Sequence, residues 1–171
     1  MTLEEFWIWV EQINKHKFPY HADKINFMIT SLTILSPVEI MDFDRILDER
    51  IANAYNANLW NAAIAIYCEC SSYEFQSLCA WLVFSGKYNY EKVLTQIEYI
   101  KNVIPDEDVR EDSYISFAET SYEVVTGEEM PLQKRIMKQV TGNVVKTYKE
   151  ARSLYPNLAT KFENCEDKPY L

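Results

Sequence analysis

The sequence predicts an all-α fold: a compact orthogonal multi-helix domain of about seven to nine helices, taken as a single domain over residues 1–171. Three observations predict it. Glycine and proline are scarce, 3 and 6 in 171 residues, whereas all-β and loop-rich folds need frequent turns. Apolar residues recur at three- and four-residue spacing rather than in alternation. Several of these runs are preceded by a Ser/Thr-x-x-Glu capping box, in which two orphan amides at a helix start are satisfied reciprocally. A hydrophobic content of 48% with 14% aromatics supplies the large side chains that a core needs.

Thr2 and Glu5 form the first box, and Leu3, Phe6, Trp7, Val10 and Ile13 follow on one face. Asn14 to Tyr20 reads as a polar connection. A second helix is expected over about Asp23 to Leu35, with Ile25, Met28, Ile29 and Leu32 inward. In Ser36-Pro37-Val38-Glu39, Ser36 is the cap, Pro37 suits the first helical position and Glu39 closes the box. The third helix then presents Ile40, Phe43, Leu47, Ile51, Ala54 and Tyr55 as a stripe, with Asp44 inside it.

Leu59 to Cys68 is apolar on nearly all sides, interrupted by Asn61, and its alanines favour helix. A helix apolar all round belongs in the centre of a fold. Ser71 and Glu74 start a second central helix through Phe75, Leu78, Cys79, Trp81 and Leu82, ending near Gly86. Asn89 reads as the cap of a sixth helix carrying Tyr90, Val93, Leu94, Ile97 and Ile100, which Pro105 breaks. Asp106 to Asp112 reads as a solvated acidic loop or first turn. Tyr114, Phe117, Ala118, Ser121 and Val125 form a last stripe that stops at Gly127, and Tyr155 to Leu171 reads as an irregular wrap.

Seventeen basic and 26 acidic residues give a net charge of −9. Such a surface repels phosphate backbones and anionic headgroups, so nucleic acid and membrane are not expected partners. A basic protein matches it electrostatically; the plainer account is solubility. The charge is also segregated. Residues 106–129 hold nine acids and one arginine, and residues 131–152 hold six bases and one acid. Either the basic segment docks on the acidic one or lies solvated, or it contacts an anionic ligand.

The four cysteines, Cys68, Cys70, Cys79 and Cys165, show no paired framework, and Cys68 and Cys70 are too close in sequence to bridge one another. Cys-x-Cys has no second ligand pair at metal spacing, and the two histidines, His16 and His21, lie far from it, so no metal and no cofactor are expected. Reduced thiols in the cytoplasm are the expectation. The acidic start Met1 to Glu5 is unlike a signal peptide, and the most apolar run is too short to span a bilayer.

The motifs resemble a mainly bacterial family catalogued as domain of unknown function 4240. That family opens with a Phe-Trp pair, as Phe6-Trp7 does here, and carries a Leu-Ser-Pro-x-Glu-Ile-x-x-Phe-Asp signature, met by Leu35 to Asp44. Its Ala-Tyr-x-x-x-Leu-Trp-x-Ala-Ala stretch is matched by Ala54-Tyr55 and Leu59 to Ala63. Its Cys-Ser-x-x-x-Phe block ending in Trp-Leu is matched by Cys70, Ser71, Phe75, Trp81 and Leu82. Glu123 to Glu129 and Leu154 to Leu158 are also similar to it. The resemblance implies a shared fold and no known activity. Where the family tends to have Gly-Gly before Cys-Ser, Cys68-Glu69 stand here. Ser72-Tyr73 replace acidic residues, and Cys79 replaces an arginine. These departures remove charge from that block and argue against catalysis there.

Asp44 is the leading single site residue, because a carboxylate on an apolar helix face costs several kcal/mol unless it is paired. It either faces a pocket, with Trp60, Asn61, Ser71 and Trp81 as further binding candidates, or it is satisfied by a helix end, Trp60 or a tyrosine hydroxyl. Cys70-Ser71 has no neighbouring histidine to activate it, and Ser71 is explained by its capping box. Trp7, Trp60 and Trp81 read as core anchors. With no catalytic residues assigned, the expected function is a non-catalytic protein-binding domain, in the manner of an immunity protein or antitoxin neutralising a basic toxin. Asp106, Glu107, Asp108, Glu111 and Asp112 would be its partner-facing surface. The alternative is a small-ligand binder or enzyme with a pocket around Asp44, Trp60 and Ser71.

Overall fold

The computed structural model describes residues 1–158 except Pro19, Asp106, Glu107, Glu111 and Asp112, together with Cys165. Among the described residues the secondary structure is helical throughout: α1 (Leu3–Asn14), α2 (His21–Leu32), α3 (Pro37–Ala54), α4 (Ala57–Tyr67), α5 (Ser72–Phe84), α6 (Lys87–Thr95), a 3₁₀ helix (Ile97–Asn102), α7 (Ser113–Thr126) and α8 (Tyr148–Leu154). All three capping boxes close. Thr2, Ser36 and Ser71 each accept from the backbone three residues on, and Glu5, Glu39 and Glu74 return the contact.

Several boundaries differ from the sequence reading: α6 ends at Thr95 and not at Pro105, with Ile97 and Ile100 in a separate 3₁₀ helix, α8 is not among the expected helices, and three helix starts or ends shift. Helix α2 begins earlier than Asp23 and stops at Leu32, with no side-chain cap from Tyr20. Helix α4 begins at Ala57 because the Asn56 side chain accepts from Leu59 N. Asn89 lies inside α6, donating to Ser85 O at 2.8 Å, and does not cap it. The start of α6 is set by Gly86, at φ +102°, and by Glu11 of α1, which accepts from Lys87 N at 3.0 Å. A Cβ on Gly86 would fall 2.9 Å from that Glu11 oxygen. The glycine therefore serves both the left-handed turn and the close approach of α1 to α6.

The described helices share one hydrophobic core. As expected for apolar helices, α4 and α5 are its centre: Leu59 and Asn61 through Tyr67 are buried, as are Phe75 and Ser77 through Phe84. An aromatic chain ties the surrounding helices together. Phe43 of α3 meets Phe6 and Trp9 of α1, both at 4.8 Å, and Phe117 of α7 at 5.7 Å. Phe117 in turn meets Phe84 of α5 at 5.3 Å. Trp7 and Trp81 are buried, and Trp60 packs on Phe75 at 4.4 Å, so all three act as anchors. Helix α8, capped by Thr147, packs on α4.

Residues 128–147 form neither helix nor strand. They run as a strap over α3 and the start of α4. The expectation of four reduced thiols fails for one pair: Cys68 and Cys165 form a disulfide with Cα atoms 5.3 Å apart. They lie 97 residues apart in sequence, and only the folded chain brings Cys165 to the end of α4. Cys68 ends α4 at φ +68°, a conformation that favours glycine.

Candidate functional site

Asp44 and Asp48 stand one turn apart on α3 and are both buried, with residual exposures of 1% and 6%. Their partners come from the strap. Asp44 Oδ2 accepts from Arg135 at 2.8 Å and from Gln133 Nε2 at 3.3 Å. Asp48 accepts from Lys138 Nζ at 2.5 Å and from the backbone amide of Ile136 at 2.8 Å. Gln133 also donates to the carbonyl of Met41, at 3.1 Å. Asp44 is thus buried and paired, but its donors belong to the irregular strap and not to a helix, a tryptophan or a tyrosine. The basic segment does dock on acid, chiefly on α3; its contact with the acidic segment is Arg135 to Glu119, at 2.8 Å.

Farther along, Asn61 of α4 holds the strap as a backbone strand would. Its Nδ2 donates to Asn143 O and its Oδ1 accepts from Val145 N, both at 3.0 Å. Between these clamps Thr141 pairs with α4's entry: Ala57 N donates to Thr141 O at 2.8 Å, and Thr141 N to Tyr55 O at 3.2 Å. Gly142, at φ +99°, lets the strap pass close to α4: a Cβ on it would fall 3.1 Å from Ala57 Cβ.

Beneath the strap lies a cavity of about 250 Å³ lined by Asp44, Leu47, Asp48, Ile51, Gln76, Ile115, Glu119, Arg135 and Lys138. It is smaller than the roughly 300–1,000 Å³ of ordinary ligand pockets. Asp44 Oδ1 is sealed from solvent and has no hydrogen-bond partner among the described residues. Burial pushes the Asp44 carboxyl above its ordinary value; Arg135 opposes this, and Glu119 and Asp48 add to it. Trp60, Asn61, Ser71 and Trp81 do not line this cavity: Asn61 grips the strap, Ser71 caps α5, and the tryptophans pack. Burial also pushes the Cys70 thiol up to about 12, the opposite of what a nucleophile requires.

Of the proposed acidic surface, Asp106, Glu107, Glu111 and Asp112 lie outside the described residues. Asp108 is exposed and pairs with Arg110 at 2.7 Å. Arg110 also reaches Glu74 at 2.9 Å and lies over the Tyr67 ring at 4.2 Å, so it anchors this region to α4 and α5. A different surface, not singled out by sequence reasoning, is an open groove of about 860 Å³ between α1 and α6, lined by Leu3, Glu4, Trp7, Ile8, Glu11, Gln12, Lys87, Tyr88 and Glu91. Ile8 is 53% and Tyr88 63% exposed. For Ile8 the signal was present in the sequence, since it falls outside the inward stripe of Phe6, Trp7, Val10 and Ile13; Leu3, expected on that stripe, is instead 41% exposed at the first turn of α1.

These features define an all-helical domain whose buried acidic row is closed by a basic strap. The chain belongs to the family described as Protein of unknown function (DUF4240), whose model matches residues 1–126. The match ends at the last residue of α7, so the strap and the Leu154 to Leu158 motif lie beyond it. No curated protein and no solved structure matches the chain.

Proposed function

We propose that this chain is a non-catalytic protein-binding domain, and that the α1/α6 groove receives a basic amphipathic helix of its partner. The observation that carries the reading is the groove's make-up. Apolar Leu3, Ile8 and Tyr88 are exposed beside Glu4, Glu11 and Glu91, with Lys87 as the one base in the lining. Two flanking helices with apolar walls and an acidic rim suit an amphipathic helix bearing lysine or arginine. Neutralisation of a basic toxin, in the manner of an immunity protein or antitoxin, is the specific role we assign to such binding. Supporting this over small-molecule chemistry, the Asp44 cavity is small and already furnished with internal ion pairs.

A cytoplasmic location belongs to the same proposal. No helix among the described residues is long and apolar enough to cross a membrane. The Cys68–Cys165 bridge weighs against it, since disulfides persist mainly in oxidising compartments.

The test uses a fluorescent, designed Leu/Lys amphipathic helix as probe. The wild-type chain is expected to bind it, and Ile8→Glu with Tyr88→Ala to weaken binding at least about tenfold, as loss of central apolar anchors does. Glu4→Lys with Glu91→Lys should slow association and flatten its salt dependence. Melting should shift only slightly, since these side chains are largely exposed and Glu4 and Glu91 make only a first-turn and a 4.0 Å surface contact. Equal binding of a Leu/Glu helix, or wild-type binding insensitive to all four substitutions, would overturn the reading.

A further inference from the structure

The strap is a seated occupant, and its contacts state what its seat recognises. The seat is formed by Asp44, Asp48 and Asn61 together with the backbone of Tyr55 and Ala57. All of these lie within the residues that the family model matches, whereas the strap lies outside them. Among the described residues, the bonds it makes to this seat are ones that an extended peptide satisfies. Asp48 takes one backbone amide and one ammonium. Asn61 takes one carbonyl and one amide two residues apart. The residue between the clamps pairs by backbone alone. Among the described residues the strap cations that meet buried charge are Arg135 and Lys138, three positions apart, and Gln133 adds a neutral donor to Asp44.

Of the strap's apolar side chains, Val140 and Val145 pack against the core, but most lie in solvent. Leu132 and Met137 are 104% and 82% exposed, and Ile136 and Val144 are exposed as well. A segment held mainly by polar contacts, with most of its apolar side chains in solvent, is anchored less firmly than a helix of the core, since burial of apolar area is the main source of docking energy. It is also joined to α7 through Gly127, at φ +72°, around which a Cβ would find open space.

We propose that the α3/α4 face is a second binding surface, specific for an extended, basic segment of a partner protein with two cationic residues three apart, and that residues 133–145 occupy it in place of that segment until displaced. The charge sets the partner's chemistry: an acidic row within a low-dielectric seat rejects an acidic or uncharged peptide, because it would leave Asp48 buried without a cation. The surface is separate from the α1/α6 groove, and its test does not depend on that groove.

The experiment uses a labelled peptide of residues 131–146 as probe and the full chain as receptor. Arg135→Ala with Lys138→Ala weakens the resident strap and leaves the seat intact. This double variant is expected to bind the probe at least tenfold more tightly than the wild type, by removal of the internal competitor. Asp48→Asn added to it should abolish binding, and a probe with alanine at 135 and 138 should not bind. A folded double variant that binds no better than wild type overturns the proposal. Should the double variant not fold, backbone hydrogen exchange of the wild type decides. Faster exchange at Ile136 and Val145 on adding probe supports displacement, and unchanged exchange overturns it. A wild-type dimer in light scattering that the probe dissociates would assign the seat to the strap of a second copy, and would overturn the partner protein as occupant.

Discussion

At the scale of single residues, Asp44 shows burial prevailing over pairing. Arg135 lies 2.8 Å away, yet desolvation is the largest influence on the carboxyl and raises it above its ordinary value. The folded chain therefore binds more protons than the unfolded chain in the window between the ordinary carboxylate value and the raised one. Stability from this group falls as pH rises through that window. Urea melts of wild type and Asp44→Asn across mildly acidic pH test this. The stability of wild type relative to the variant should decline as pH rises from about 4, then level off above the raised value. A difference that stays flat or grows would show that Arg135 outweighs burial. Cys68 illustrates another residue-scale compromise: its left-handed backbone favours glycine, and a cysteine there gains a covalent tie to Cys165.

At the scale of elements, the helices and the strap are held by different physics. Helices α4 and α5 are held by apolar burial on nearly every side, the strap by discrete polar clamps. Asn61 is the clamp most separable from the core, since its side chain serves two strap groups and no helix end. Asn61→Ala should cost about 1–3 kcal/mol, the usual consequence of stranding buried polar groups. The loss should appear first as faster proteolytic cleavage within 139–147, before global unfolding. Limited proteolysis alongside a denaturant melt measures both, and an unaltered cleavage pattern would assign strap attachment to Asp44, Asp48 and the Thr141 backbone pairing. Asn61 was visible in the sequence as the break in an apolar run. That its partner is a strap more than 80 residues away was not, because a side-chain amide that mimics backbone leaves no periodic trace.

At the scale of the whole molecule, the Cys68–Cys165 bridge joins the end of a central helix to the C-terminal tail, while Cys70 and Cys79 are free and buried. Alkylation in denaturant without reductant should label two cysteines, and four after reduction. In the native state Cys70 and Cys79 should react slowly, since burial raises both thiols. Intact mass measurement reads all three conditions; four labels without reductant would show that the bridge is absent. The whole molecule also redistributes charge. Internal pairing of the strap with α3 consumes Arg135 and Lys138 against Asp44 and Asp48. The rim of the α1/α6 groove keeps Glu4 and Glu91 exposed.

By itself the sequence determined the helical class, the three boxed helix starts, the two central helices and the burial of Asp44. Each of these follows from local spacing: capping is written in four residues, and an apolar face recurs every three or four. Only the tertiary structure decided which donors reach Asp44, that Asp48 shares its burial, that Glu11 and Gly86 start α6, and that Cys68 meets Cys165. Those are contacts between segments distant in the chain. The strap that makes the first two has neither helical nor strand periodicity, so its course is set largely by the polar groups that face it once the helices have packed.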